Sequence, residues 1–204
     1  MADKYLNKVY GLVTPAETKV FYDTWSDSYD TEVLENGYAT PMRVARALAA
    51  HLDGMDQPLL DYGCGTGLSG AALVQIGFTD VDGADLSPEM LAEAVEKGVY
   101  CDSWQINLEA PLPFEPGAYA AITATGVIGA GAAPPETLEM LLNALAPKGL
   151  LVFSYNDHTL ADEAYSTALR QAIDADLAEV LFEEHGPHLP KIDLDATVYV
   201  LERQ

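Results

Sequence analysis

Cationic side chains are scarce in this chain of 204 residues: Lys and Arg number 10 against 32 Asp and Glu, a formal net charge of −22 at pH 7. That deficit opposes the basic footprint by which proteins hold phosphate backbones, so a nucleic-acid partner is not expected. The acidity reads either as a solvated surface suited to a salty environment or as an attractor of a cationic substrate. Cysteine is nearly absent too. Cys64 and Cys101 stand alone, without C-x-x-C or Cys/His spacing, and predict neither a disulfide nor a thiolate metal site. His51, His158, His185 and His188 form no H-E-x-x-H pattern, so no metal is expected. No apolar run is long enough to span a bilayer, and the opening MADKYLNKVYG lacks the charged-then-apolar layout of a secretory signal. No membrane partner and a cytoplasmic location follow as expectations. Repeats, low-complexity tracts and linkers are missing as well, which predicts one structural domain.

What is present is an alternation of apolar strand-like runs with helical patterns, the signature of a parallel α/β sheet. Residues from about Ala16 to Asp30 read as a helix, and Pro41 opens a second one ending near His51 to Gly54. Strands are predicted at Pro58 to Tyr62, Val81 to Asp85, Ser103 to Asn107, Ala120 to Thr125 and Leu150 to Tyr155. Helices are predicted at Leu68 to Ile76, Pro88 to Lys97, Pro135 to Leu145 and Leu160 to Leu177, with a turn-rich stretch from Glu109 to Gly117.

The run Leu59-Leu60-Asp61-Tyr62-Gly63-Cys64-Gly65-Thr66-Gly67 carries the chemistry. Glycines at this spacing, between a strand and a helix, permit positive φ and remove side chains that would hold a ligand off. The next helix presents unpaired N–H groups. About 20 residues downstream Asp85 ends the second strand, where a carboxylate can accept both ribose hydroxyls. Ser87 then caps a helix opened by Pro88.

Gly65-x-Gly67-x-x-Gly70 also satisfies a dinucleotide pattern, which makes an NAD-binding oxidoreductase the competing reading. Position argues against it: counted from Gly63, where the tight turn starts, the sixth place is Leu68. Asp61 would also stand beside a pyrophosphate, a like-charge contact. A cationic aminoacyl sulfonium suits that carboxylate better.

Asp61-x-Gly63-x-Gly65-x-Gly67 followed by Ala84-Asp85-Leu86-Ser87-Pro88-Glu89-Met90-Leu91 resembles the class I S-adenosylmethionine (SAM) dependent methyltransferases. Within them the chain is similar to the Williams–Beuren syndrome region methyltransferase-like group, from Tyr22-Asp23-Thr24-Trp25 through Ala146-Pro147-Lys148-Gly149 and the strand beyond. The resemblance implies a Rossmann-like sheet of seven strands with helices on both faces, closed by strands near Glu179 to Glu183 and Thr197 to Leu201. It implies an N-terminal helical lid over residues 1–54 and a SAM-binding core over 55–204.

It implies, too, that Asp61, Gly63, Gly65 and Gly67 surround the methionine part of SAM and that Asp85 takes its ribose. Leu86 either packs on the adenine or is plain core. Relatives commonly place an aspartate after the third strand to accept from the adenine amine. Asn107 stands there instead, with an amide oxygen able to accept the same bond without charge. Tyr119-Ala120 replaces the Phe-Asp that relatives often carry before the fourth strand.

Methyl transfer from a sulfonium is an in-line displacement, so the protein has mainly to align a small-molecule acceptor and exclude water. If a base is needed, His158, two residues beyond the fifth strand, is the candidate; its alternative is an ordinary surface histidine. Tyr22, Trp25 and Tyr29 share one helical face and either cover SAM or dock the helix on the core. Val127 and Ile128 after the fourth strand, and Tyr155 and Asn156 after the fifth, are placed to line an acceptor pocket. A noncatalytic SAM-binding or regulatory protein of the same fold is the alternative function.

Overall fold

Successive strand side chains point to opposite faces, and the inner strands are buried at consecutive positions, so both faces of the sheet are covered. The computed structural model describes Tyr5 and residues 15–107 and 110–204. Residues 1–4 and 6–14 of the expected lid segment, and Leu108 and Glu109 at the start of the turn-rich stretch, lie outside the described residues. The strands β1 (Leu59–Tyr62), β2 (Val81–Asp85), β3 (Ser103–Gln105), β4 (Ala121–Ala124), β5 (Leu150–Asn156), β6 (Ala178–Leu189) and β7 (Leu194–Arg203) form a single sheet. Its seven strands run in the order β3-β2-β1-β4-β5-β7-β6. β1 to β5 pair in parallel, while β7 is antiparallel to both β5 and β6.

On one face Leu59, Val81, Ala121, Val152 and Val200 meet Val44 and Leu48 of α2 (Thr40–His51) and Leu73 of α3 (Leu68–Ile76). On the other, Leu60, Ile122, Leu151, Phe153 and Leu201 meet α5 (Glu136–Ala144) and α7 (Glu163–Asp174) through Leu138, Leu141, Leu142 and Tyr165. Each such leucine contributes roughly 1.5–3 kcal/mol by leaving water. α1 (Pro15–Glu35) packs on α4 (Pro88–Lys97) and gathers its own aromatic cluster of Phe21, Tyr22, Trp25 and Tyr29 with Leu68, Leu189 and Leu194.

Several boundaries differ from expectation for local reasons. α1 runs past Asp30 to Glu35, because nothing breaks it before Gly37, whose φ of +81° ends it. Tyr38 N–H then closes back on Val33 O at 3.1 Å, and Gly37 N–H on Leu34 O at 3.0 Å, satisfying the last carbonyls. The single helix expected from Leu160 to Leu177 is two. α6 (Asp157–Leu160) is capped by Asn156, and α7 by Asp162, whose carboxylate accepts Ala164 N–H at 3.0 Å. β6 and β7 are much longer than the short strands expected. β6 is an edge strand with exposed polar residues and tolerates Gly186-Pro187, a pair that reads as a turn in sequence.

Candidate active site

Asp61 at the end of β1 is fully buried and receives three hydroxyls: Ser69 at 2.5 Å, Tyr100 at 2.6 Å and Thr123 at 2.8 Å. Burial pushes its pKa up against the pull of those donors. Tyr100 also takes Gly70 N–H at 3.1 Å, and its ring lies where a Cβ on Gly70 would sit, 2.4 Å away. The glycine turn is thereby fixed from beneath. Asp61 borders neither of the two cavities described below, and it braces the turn through these hydroxyls.

The turn itself folds onto β2. Gly63 N–H and Cys64 N–H both bond to Ala84 O, at 2.7 and 3.0 Å. Gly65 N–H donates to Asp85 Oδ2 and Ser87 N–H to Asp85 Oδ1, each at 2.8 Å. Burial pushes the Asp85 carboxyl up to about 6, held back by the Ser87 and Gly65 amides. The glycines serve different ends. A Cβ on Gly63 would lie 2.4 Å from Val127, and one on Gly67 would press on Ala94, whereas one on Gly65 would point into open space.

That space is a cavity of about 110 Å³ walled by Tyr62, Gly63, Gly65, Asp85, Leu86, Met90, Ile106, Thr125 and Val127, with Lys19, Tyr22 and Tyr29 of α1 above it. A second cavity of about 50 Å³ adjoins it, sharing Tyr22, Tyr29, Gly126 and Ala132. The second is walled further by Trp25, Tyr38, Ile128, Ser154, Asn156, Thr159 and His188. Trp25 is held by Nε1–H donation to Glu32 Oε2 at 2.9 Å.

Tyr22, Tyr29, Gly63, Gly65, Asp85, Leu86 and Val127 are thus brought together around the first cavity, and Trp25, Ile128 and Asn156 around the second. Four other expected site residues fall elsewhere. Gly67 packs against α4. Asn107 is exposed outside both cavities, and its neighbour Ile106 faces in instead. Tyr155 is core, stacked edge-on against Phe153 and Tyr199. His158 is exposed and lines neither cavity. Asn156 reaches the second cavity, yet its Oδ1 is engaged in capping α6 through Thr159 N–H at 2.9 Å.

Sequence reasoning missed His188 and Thr125. A bulge between Pro187 and Leu189 leaves His188 out of the β6–β7 pairing and lets its ring turn inward, a re-aiming that no local pattern announces. Thr125 sat inside an expected strand and drew no notice.

The first cavity fits a nucleoside bearing an aminoacyl sulfonium. Thr125 Oγ1 is buried there with no hydrogen-bond partner among the described residues, a cost that a polar ligand atom would remove. Asp85 offers further lone pairs at the lip, Leu86 and Ile106 offer flat apolar walls, and Gly65 leaves its side of the turn bare.

A parallel sheet ending in a reversed β7, with a cavity at the glycine turn between β1 and α3, defines a class I SAM-dependent methyltransferase. A family profile for the methyltransferase domain matches residues 18–196, and the chain belongs to that family. It is similar to Methyltransferase-like protein 27 of Homo sapiens, 30% identical over 168 residues, covering 81% of this chain and 68% of that one. A shorter match links it to 18S rRNA (guanine-N(7))-methyltransferase of Bos taurus, 43% identical over 68 residues, covering 32% of this chain and 24% of that one. Magnesium protoporphyrin IX methyltransferase from Synechocystis PCC 6803, solved with bound SAM, shares the fold at TM-score 0.61 and 17% identity over 97% of this chain and 89% of its own. Among the described residues no helix is long and apolar enough to cross a membrane.

Proposed function

We propose that the chain transfers the methyl group of SAM to a small molecule in the cytoplasm, with the cofactor in the first cavity and the acceptor in the second. The contiguity of the two cavities, which share Tyr22, Tyr29, Gly126 and Ala132, carries this reading. When bound, SAM supplies a methyl group on a sulfonium that a nucleophile can displace directly. The chain's own residues bind and orient. Asp85 accepts the ribose hydroxyls, Leu86 and Ile106 flank the base, and Gly65 lets the ligand approach the backbone. Thr125 offers its hydroxyl, and α1 covers the site and keeps water out.

Charge supports a small acceptor over RNA. A chain at −22 repels a phosphate backbone, even though the bovine relative is named for a ribosomal substrate.

Calorimetry with SAM and S-adenosylhomocysteine (SAH) tests the cofactor, and a labelled-methyl assay with separate small-metabolite and RNA arms tests the acceptor. Label in the small-metabolite arm is expected. Binding of neither nucleoside by folded protein overturns the reading, label in RNA alone overturns the acceptor class, and binding without any transfer leaves a noncatalytic SAM-binding protein.

A further inference from the structure

Ser154 and Asn156 stand two residues apart on β5, so their side chains leave the same face of the strand, and both border the second cavity. Ser154 is only 2% exposed. Its Oγ accepts Gly126 N–H at 2.9 Å, while its own hydroxyl hydrogen has no acceptor among the described residues. A buried hydroxyl hydrogen without an acceptor is costly, and the open space beside it is the cavity. Asn156 adds a second donor. Its Oδ1 takes Thr159 N–H at 2.9 Å and the Thr159 hydroxyl at 3.1 Å, which fixes the orientation of the amide, because a flipped amide would set N–H against N–H. Nδ2 is left on the other edge of the amide, accessible and with no hydrogen bond among the described residues.

The walls carry no full charge. Among the described residues no Lys, Arg, Asp or Glu side chain borders this cavity, and burial holds the His188 imidazole down to about 4, which keeps it neutral at pH 7. Without a cation to offset its desolvation an anion is disfavoured, and two donors facing inward disfavour a cation. Trp25, Val33, Ile128 and Leu189, all buried, supply apolar wall. Two donors from separate residues call for an oxygen that accepts and brings no hydrogen of its own to satisfy, which describes a carbonyl and not a hydroxyl.

We infer that the second cavity takes an uncharged molecule with an apolar body and a carbonyl oxygen, the oxygen accepting from Ser154 Oγ–H and Asn156 Nδ2–H. This assignment rests on the methyl-transfer reading for its purpose: a carbonyl anchored at the end of β5 aligns the rest of the molecule with the first cavity across the shared Gly126 and Ala132.

¹H–¹⁵N spectra of the protein, free and saturated with SAH, test this with three probes of similar shape. They are acetophenone, ethylbenzene, in which a CH₂ replaces the carbonyl, and benzoate, the anionic counterpart. Acetophenone should bind about 20-fold more tightly than ethylbenzene, shift the Asn156 side-chain amide resonances and stay bound in the presence of SAH, with benzoate binding more weakly than acetophenone. Ser154→Ala and Asn156→Asp should each cut the preference for acetophenone about fivefold and leave ethylbenzene affinity unchanged, which a merely structural loss would not spare. Asn156→Asp keeps an oxygen on the α6 cap, so it carries the test should Ser154→Ala not fold. Equal affinity for acetophenone and ethylbenzene, benzoate binding as tightly as acetophenone, displacement of acetophenone by SAH, no binding of any probe, or an unchanged preference in a folded variant overturns the assignment. Failure of SAH to bind overturns the methyl-transfer reading instead, and is distinguishable because the probe affinities are also read on the free protein.

Discussion

The carboxylate of Asp85 accepts the backbone N–H of Gly65 at 2.8 Å, so the end of β2 and the glycine turn after β1 form one lip of the first cavity. Removing that carboxylate takes away a tie within the lip and the proposed ribose acceptor together. Asp85→Ala should weaken SAH binding by roughly 1–3 kcal/mol, measured by calorimetry. Unchanged affinity would refute the ribose role.

The same carboxyl sets a pH dependence. Its folded pKa of about 6 lies above the ordinary 3.8, so between those values the folded chain binds the proton more tightly than the unfolded one. Asp85 therefore costs stability at pH 7, a cost relieved as pH falls through about 6. Binding runs the opposite way, since a protonated carboxyl loses acceptor capacity for ribose. SAH affinity measured from pH 8 to 5 should stay level and then drop below about 6, with Asp85→Ala flat over the same range.

His188 titrates with the contrary sign. Its folded pKa of about 4 lies below the ordinary 6.5, so the unfolded chain binds the proton first as pH falls, and stability is lost between 6.5 and about 4. The full loss is about 3 kcal/mol. Denaturant melts of wild type and His188→Gln isolate it from the opposing Asp85 effect: the gap between the two should be constant above pH 7 and shrink toward pH 4. A constant gap down to pH 4 would mean the ring is not buried as a neutral group.

Two glycines of the turn separate fold from binding. Gly63→Ala places a Cβ 2.4 Å from Val127 at a φ of +69° and should cost stability by about 2 kcal/mol or more, seen as a lowered melting temperature. Gly65→Ala meets nothing within 4 Å and bears only the positive-φ strain, about 1–2 kcal/mol. Its methyl group enters the cavity, so SAH affinity should fall far more than stability does.

What the sequence made legible and what it concealed divide along physical lines. Glycine spacing, the strand-end Asp85 and the Ser87-Pro88 helix start are local patterns, and each was placed within a residue of where it lies. The depth of Asp61 was not readable, because its three hydroxyl partners come from positions 69, 100 and 123 and meet only in the fold. His158 was chosen for its nearness to a strand end, a one-dimensional criterion that ignores which way α6 turns. His188 lay hidden behind Gly186-Pro187, and only a bulge in the β6–β7 ladder brings it to the cavity.

The last prediction concerns how α1 is held down. Asp30 accepts the Thr66 hydroxyl at 2.5 Å and pairs with Lys97 Nζ at 2.9 Å, while Lys97 also donates to Thr66 O at 2.6 Å. Asp23, about two turns earlier in the helix, accepts the Ser87 hydroxyl at 2.6 Å. Both latches end on the loops that carry Gly65 and Asp85, so α1 cannot lift without releasing them. The Asp30–Lys97 pair is partly solvent-exposed and contributes about 1 kcal/mol or less, too little for its loss to unfold the chain. Asp30→Ala should therefore leave the melting temperature nearly unchanged, speed hydrogen exchange along α1, and raise the SAH dissociation rate in stopped flow. Exchange and dissociation both at wild-type rates would show that the Asp30 latch does not hold α1 down.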